Sequence, residues 1–186
     1  LPTQEDMEEF ASRPDPYSYV GIRDAAMIRL WHLSPLKSHE QKDLKVQDID
    51  LGKKTVYWRE SKYRGLRLDE KTYKAIERYL KVSRPVFAKK SKVPIDKLFL
   101  NEWGDPLVEC SIFEIFWKYR GDKKIKPYAT RHMTAIDMLR NGSNLEEIKK
   151  ALGIKSIKMC EAYKAVIADD VGGFYKKDRF EEKVKL

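Results

Sequence analysis

Pro127-Tyr128-Ala129-Thr130-Arg131-His132, with Leu152-Gly153-Ile154-Lys155-Ser156-Ile157 and Tyr163 downstream, is the stretch on which the reading of this chain turns. A helix is predicted from about Tyr128 to Leu139, with a proline just before its start. Arg131 lies on that helix and Tyr163 follows it by 163 − 131 = 32 residues. Such an order can bring a phosphate clamp and a phenol nucleophile into one pocket. A planar guanidinium holds two phosphate oxygens at once, and a phenol attacks a phosphodiester once its proton is removed. Tyr128 and Arg131, three residues apart, point the same way on a helix. Tyr128 can donate a hydrogen bond to a phosphate but cannot shuttle a proton at neutral pH as histidine does. The competing account makes Tyr163 an ordinary helical aromatic and Arg131 a structural ion-pair partner.

The bulk properties agree with a polyanion as partner. Lys+Arg 38 against Asp+Glu 29 leaves a formal charge of +9 on 186 residues. A basic surface of that size favours DNA, RNA or an anionic membrane, against the plainer reading of a lysine-rich surface with no partner. With 42% hydrophobic and 36% charged residues, the chain is composed as a globular domain rather than a disordered one. Two cysteines, Cys110 and Cys160, are too few for a disulfide framework or a four-ligand zinc site, and fit a reducing cytoplasmic setting. The three histidines have no zinc-ligand spacing with them, and no glycine-rich phosphate loop is present. No apolar run is long enough to span a membrane and the N-terminus has no signal-peptide pattern. The start at Leu1 suggests a processed or excised fragment, which leaves open whether an N-terminal module precedes it.

Along the chain, Thr3 with Glu5 and Asp6 predicts a capped helix to about Ser12, and Arg13-Pro14-Asp15-Pro16 breaks it. A buried helix is expected over Ile22 to Leu33, then a short one capped by Ser38 and ending near Leu44. The period then changes. Val46 to Leu51, Thr55 to Trp58 and Leu66 to Leu68 read as three short strands with Gly52 and Gly65 in or near the turns. Asp69 caps a helix over Glu70 to Val82, and Pro85 and Pro94 bracket a lysine-rich loop. Further helices are predicted at Glu109 to Tyr119, Leu145 to Leu152 and Ser156 to Val166, with Ser143 and Glu146 as a capping box. Helices, a small antiparallel sheet and more helices define a mainly helical α+β domain.

Several stretches together resemble the tyrosine recombinase, or phage-type integrase, family. Leu33-Ser34-Pro35-Leu36-Lys37-Ser38-His39-Glu40 leading to Val46-Gln47-Asp48-Ile49-Asp50-Leu51 is similar to the family's first box, with Lys37 at the position of a catalytic arginine and Glu40 in place. Lys62 and Arg64 match a lysine and an arginine on the following hairpin. Tyr128 stands where histidine is usual, Arg131 matches the second arginine, and His132 matches a histidine that often follows it. Ile154 replaces the second histidine or tryptophan, and Tyr163 matches the nucleophile. The resemblance covers about residues 1–167.

What the resemblance implies is a C-terminal catalytic domain with a small three-stranded antiparallel sheet. It also implies cleavage and rejoining of duplex DNA through a 3′-phosphotyrosyl intermediate, with no metal and no nucleotide cofactor. Tyr163, Arg131, Lys62, Lys37 and Tyr128 are then the catalytic candidates, with Lys62 protonating the leaving 5′-oxygen, and Arg64, His132 and Lys155 are DNA contacts. Residues 168–186 become a C-terminal tail or a segment swapped into a neighbouring subunit, in an oligomer (a tetramer when assembled) on DNA. Lys37 keeps a charge but not the fork, and Ile154 donates no hydrogen bond; loss of one such donor costs on the order of 10²–10³ in rate. A second function therefore stands beside the first: a homologue that keeps the fold and binds DNA as an architectural protein. A third reads Asp50 with Glu60-Ser61-Lys62 as the acid and Glu-x-Lys of a metal-dependent nuclease.

Overall fold

The computed structural model of the chain describes residues 2–34, 37–58, 64–123, 125–164 and 180–181. Helix α1, Gln4–Ser12, opens on a reciprocal cap: Asp6 N–H donates to Thr3 Oγ1 at 3.1 Å and Thr3 N–H to the Asp6 carboxylate at 2.9 Å. The double-proline break follows. Helix α2, Tyr19–Leu33, begins earlier than the apolar pattern indicates, because Ser18 caps it by accepting from Gly21 N–H at 2.9 Å. Any side chain at Gly21 would collide with the Asp15 carbonyl, so the break packs directly on the first turn of α2.

Helix α2 is the spine of the main core. Its Met27, Ile28, Leu30 and Trp31 are fully or almost fully buried, and Trp31 meets Phe116 edge-on with ring centroids 5.1 Å apart. Helix α3 spans Ser38–Asp43, but Ser38 does not cap it. The Glu40 carboxylate accepts the Lys37 N–H at 2.9 Å, while the Ser38 hydroxyl is drawn to the Glu109 carboxylate of a later helix. Val46–Asp48 forms a 3₁₀ turn rather than strand, since Asp48 folds back to accept the Lys45 N–H at 2.8 Å.

The three expected strands are present as β1 (Ile49–Asp50), β2 (Thr55–Trp58) and β3 (Arg64–Arg67), all antiparallel. Asp50 Oδ1 accepts the Lys53 N–H in the tight β1–β2 turn, 2.9 Å away. A two-residue fourth strand, β4 (Phe180–Glu181), pairs with β3 through Leu66↔Phe180 and Gly65↔Glu181.

Asp69 caps α4 (Glu70–Arg78) through the Thr72 N–H at 2.7 Å. The helical path then runs through a π turn at Tyr79–Ser83 into α5, Arg84–Ala88, so Pro85 lies inside helix instead of opening a loop. A proline in a helix lacks an N–H and crowds the carbonyl four residues back; the wide turn just before it takes up that misfit. Tyr79 is buried, its hydroxyl donating to Leu98 O at 2.9 Å and accepting from Leu100 N–H at 3.0 Å, which pins the short apolar run 98–100.

Helices α6 (Glu109–Tyr119), α7 (Pro127–Arg140) and α8 (Leu145–Leu152) follow. The cap of α8 is Asn144 with Glu147, one residue past the Ser143–Glu146 pattern. Ser143 is spent on ending α7: its N–H returns to Met138 O and that of Gly142 (φ 81°) to Leu139 O, a left-handed helix stop. Helix α9 is short, Lys158–Glu161, with 3₁₀ bonds from Met159 to Ser156 and from Cys160 to Ile157, where a longer helix from Ser156 is expected. Residues 165–166 of that expectation lie outside those described. A second, smaller cluster of Ala135, Met138, Ile148, Ala151, Leu152 and Cys160 holds α7, α8 and α9 together. Among the described residues no helix is long and apolar enough to cross a membrane.

Candidate active site

The site is built from the α7 start outward. Pro127 occupies the first turn, where a missing N–H costs nothing. Its carbonyl accepts from Trp31 Nε1 and from Thr130 Oγ1, each at 2.9 Å, which locks the start of α7 onto the main core. One turn on, Arg131 is buried, and its Nη2 donates to Leu152 O at 2.8 Å. That carbonyl belongs to the last residue of α8 before the stop. Gly153 (φ 63°) and Ile154 close the helix by donating to Lys150 O and Lys149 O, leaving the Leu152 oxygen for the guanidinium. A cation at a helix C-terminus also offsets its partial negative charge.

From Ile154 the chain turns through 155–157 into α9, and buried Cys160 anchors that helix in the small cluster. Half-buried Tyr163 then comes back to α7: its hydroxyl is 3.0 Å from His132 Nδ1, and the two rings are 5.7 Å apart. Burial pushes the Tyr163 phenol above its usual value; the Arg131 guanidinium pulls the other way and Cys160 adds to the rise. Desolvation, helped by neighbouring Arg131, holds the His132 imidazole below the ordinary histidine value. Near neutrality the pair is therefore a neutral imidazole and a neutral phenol, next to a fixed positive charge.

The phage integrase family pattern matches residues 3–169. The chain belongs to the phage integrase family. Among curated relatives it is 33% identical over 147 residues to tyrosine recombinase XerC of Roseiflexus sp. (strain RS-1), covering 76% of this chain and 47% of that protein. With XerC of Halalkalibacterium halodurans it shares 29% over 182 residues, 93% of this chain and 60% of the relative. It thus spans about half of the length of the curated relatives it matches. Among solved structures, XerA recombinase superposes with TM-score 0.71 at 22% identity, over 88% of this chain and 57% of that one. XerH bound to a palindromic difH substrate, in a post-cleavage complex, gives TM-score 0.70 at 20% identity, over 90% of this chain and 50% of that one. At these identities the superpositions speak for the fold.

Within this phage integrase fold the structure brings Arg131, His132 and Tyr163 together, with Ile154 packed against the same small cluster as Tyr163. Ile154 is half-buried and packs against the small cluster, as do Leu139, Leu145 and Tyr163. Its apolar side chain is the residue a left-handed helix stop favours after its glycine, a signal present in Leu152-Gly153-Ile154. Tyr128 and Arg131 share a helix but their ends part: Tyr128 is exposed with its ring against Phe113 of α6, while Arg131 reaches α8. Lys37 stands half-buried at the start of α3, joined by no hydrogen bond or ion pair to Tyr163 or His132. Lys155 is exposed on the turn after Ile154. Lys62 and Glu60 lie outside the described residues, and Arg64 is described only as backbone in β3. Two participants escaped sequence reasoning: the Leu152 carbonyl, which no side-chain pattern marks, and Trp31, whose indole N–H positions α7 from 96 residues away.

Proposed function

We propose that this chain is the catalytic portion of a tyrosine recombinase, cutting and rejoining duplex DNA through a 3′-phosphotyrosyl intermediate. The observation that carries the reading is the Tyr163 hydroxyl held beside His132, under the charge of Arg131, in a chain of net charge +9. Tyr163 is the nucleophile, Arg131 the phosphate clamp, and Lys62 the donor to the leaving 5′-oxygen. Lys37 reaches the phosphate from the start of α3 and Tyr128 only by swinging away from Phe113 once DNA is bound, with Arg64 and Lys155 as backbone contacts on the duplex. Residues 1–167 form the catalytic unit, and 168–186 a C-terminal tail whose β4 pairs with β3 of the same chain. Affinity rests on phosphate contacts and so falls steeply with salt, log Kobs dropping by about 0.9 per phosphate neutralised for each decade of salt. The working form is a homo-oligomer on DNA.

A second reading has a specific observation behind it. Ile154 packs against the small cluster at the position where a hydrogen-bond donor is usual in the family, and the Tyr163 phenol is raised rather than depressed. Both favour a DNA-binding homologue without turnover. Nicked suicide duplexes in EDTA, with this chain and Tyr163→Phe, separate the two. A covalent adduct that disappears in the variant supports the recombinase; tight DNA binding without adduct supports the architectural protein; cleavage only on restoring Mg²⁺ supports a nuclease.

A further inference from the structure

We infer that His132 is a catalytic residue rather than a DNA contact: its Nδ1 is the base that takes the Tyr163 phenolic proton. The inference rests on the recombinase reading above and assigns a step that reading leaves open. Tyr128 occupies the histidine position of the family pattern and cannot act as a base at neutral pH. His132 Nδ1 is the hydrogen-bond partner of Tyr163 Oη, 3.0 Å away, within reach of direct proton transfer. With the imidazole proton on Nε2, Nδ1 presents a lone pair to the phenol, which donates to it.

The step balances as follows. Tyr163 Oη forms a bond to phosphorus as the P–O5′ bond breaks, the electron pair leaving with O5′. The phenolic proton passes to His132 Nδ1, giving an imidazolium, and O5′ takes a proton from the Lys62 ammonium. Rejoining reverses both transfers. Both groups start in the form the transfer needs, a neutral phenol and an imidazole free to accept. Burial of both and the Arg131 charge beside the imidazolium add to the cost of transfer until the phosphate arrives, although Arg131 favours the phenolate. Among the described residues, the charged and titratable groups acting on the pair are Arg131 from α7 and the Cys160 thiol from α9, itself influenced by Glu146 and Lys149 of α8.

The test measures adduct formation by the full chain on nicked suicide duplexes from pH 5 to 9, for wild type, His132→Gln and His132→Asn. A parallel duplex carries a 5′-bridging phosphorothiolate, whose thiolate leaves without protonation. The expected result is a loss of a hundredfold to ten-thousandfold in both variants on both substrates, with DNA affinity and melting temperature unchanged. Wild type should also show a rate that falls as pH drops through the depressed histidine value, a limb absent from the variants. Asparagine can keep the hydrogen bond to the phenol but cannot accept its proton, so wild-type rates in His132→Asn would overturn the assignment in favour of positioning. Weaker DNA binding with an unchanged adduct rate at saturating DNA would return His132 to the role of DNA contact. A wild type that forms no adduct on either substrate sinks the recombinase reading itself, and this assignment with it.

Discussion

The main core and the small cluster beneath Tyr163 are held in different ways. Around α2 the core is packed with aromatic rings and tied by buried side-chain bonds: Trp31 reaches Pro127 O, Tyr79 pins Leu98 and Leu100, and Arg84 donates to the carbonyls of Ile95, Lys97 and Leu98. Around Tyr163 the buried groups are small or aliphatic, and closure comes from local devices: two left-handed helix stops and the Asn144 cap. Two side-chain bonds, Arg131 to Leu152 O and His132 to Tyr163, tie that region across larger sequence distances. Local devices contribute less per residue than a packed aromatic core, so segments closed this way open at lower free energy. Tyr163 therefore sits on the more easily opened part and Arg131 on α7, whose residues enter both clusters.

That contrast can be broken or sharpened by measurement. The largest effect is expected for Trp31→Ala, which empties a fully buried site and removes a donor to Pro127 O. A loss of about 3–5 kcal/mol in urea unfolding should appear as one global transition. A loss confined to residues 145–164 in hydrogen exchange would place Trp31 with the wrong region.

Alkaline titration compares a tyrosine from each region. Tyr79 is pushed up to about 12 by burial. The folded chain keeps that proton after the unfolded chain has lost it, so stability is full below pH 10 and declines as pH rises through 10 to 12. The loss amounts to about 2–3 kcal/mol and should vanish in Tyr79→Phe. Tyr163 is also raised, but Arg131 opposes its burial, so Tyr163→Phe should remove less of the slope. Equal slopes from both would show that the two surroundings do not differ.

The smallest effect is expected for Asn144→Ala, about 1 kcal/mol. It should speed exchange in α8 while leaving that of α2 unchanged. Uniform acceleration would mean that the two regions open as one.

Much of this was legible because its signals are local. The Thr3–Asp6 cap, the Asp69 cap, strand β2 and the bounds of α7 and α8 depend on residues within a few positions of one another. Errors arose where two local signals overlapped or where a side chain was claimed from afar. Ser143–Glu146 and Asn144–Glu147 are equivalent patterns one residue apart; the stop of α7 takes Ser143 and leaves Asn144 to cap. Ser38 is a good cap by type, but Glu109 from α6 engages its hydroxyl. Pro85 breaks a regular helix, yet not one preceded by a π turn. In the site, Arg131 and Tyr163 could be found by order and spacing. The partner of each could not, because His132 and Leu152 meet them only after α8 and α9 fold back on α7.

The sequence alone determined the family, the order of helices and strands, and the residue types available for phosphate chemistry, since these follow from short-range patterns and charge. Only the tertiary structure decided that Arg131 seats on the end of α8, that Tyr128 turns away toward Phe113, and that His132 holds the Tyr163 hydroxyl. Those outcomes depend on how far α9 carries the chain back across α7, a distance set by packing in the small cluster and written in no stretch of neighbouring residues.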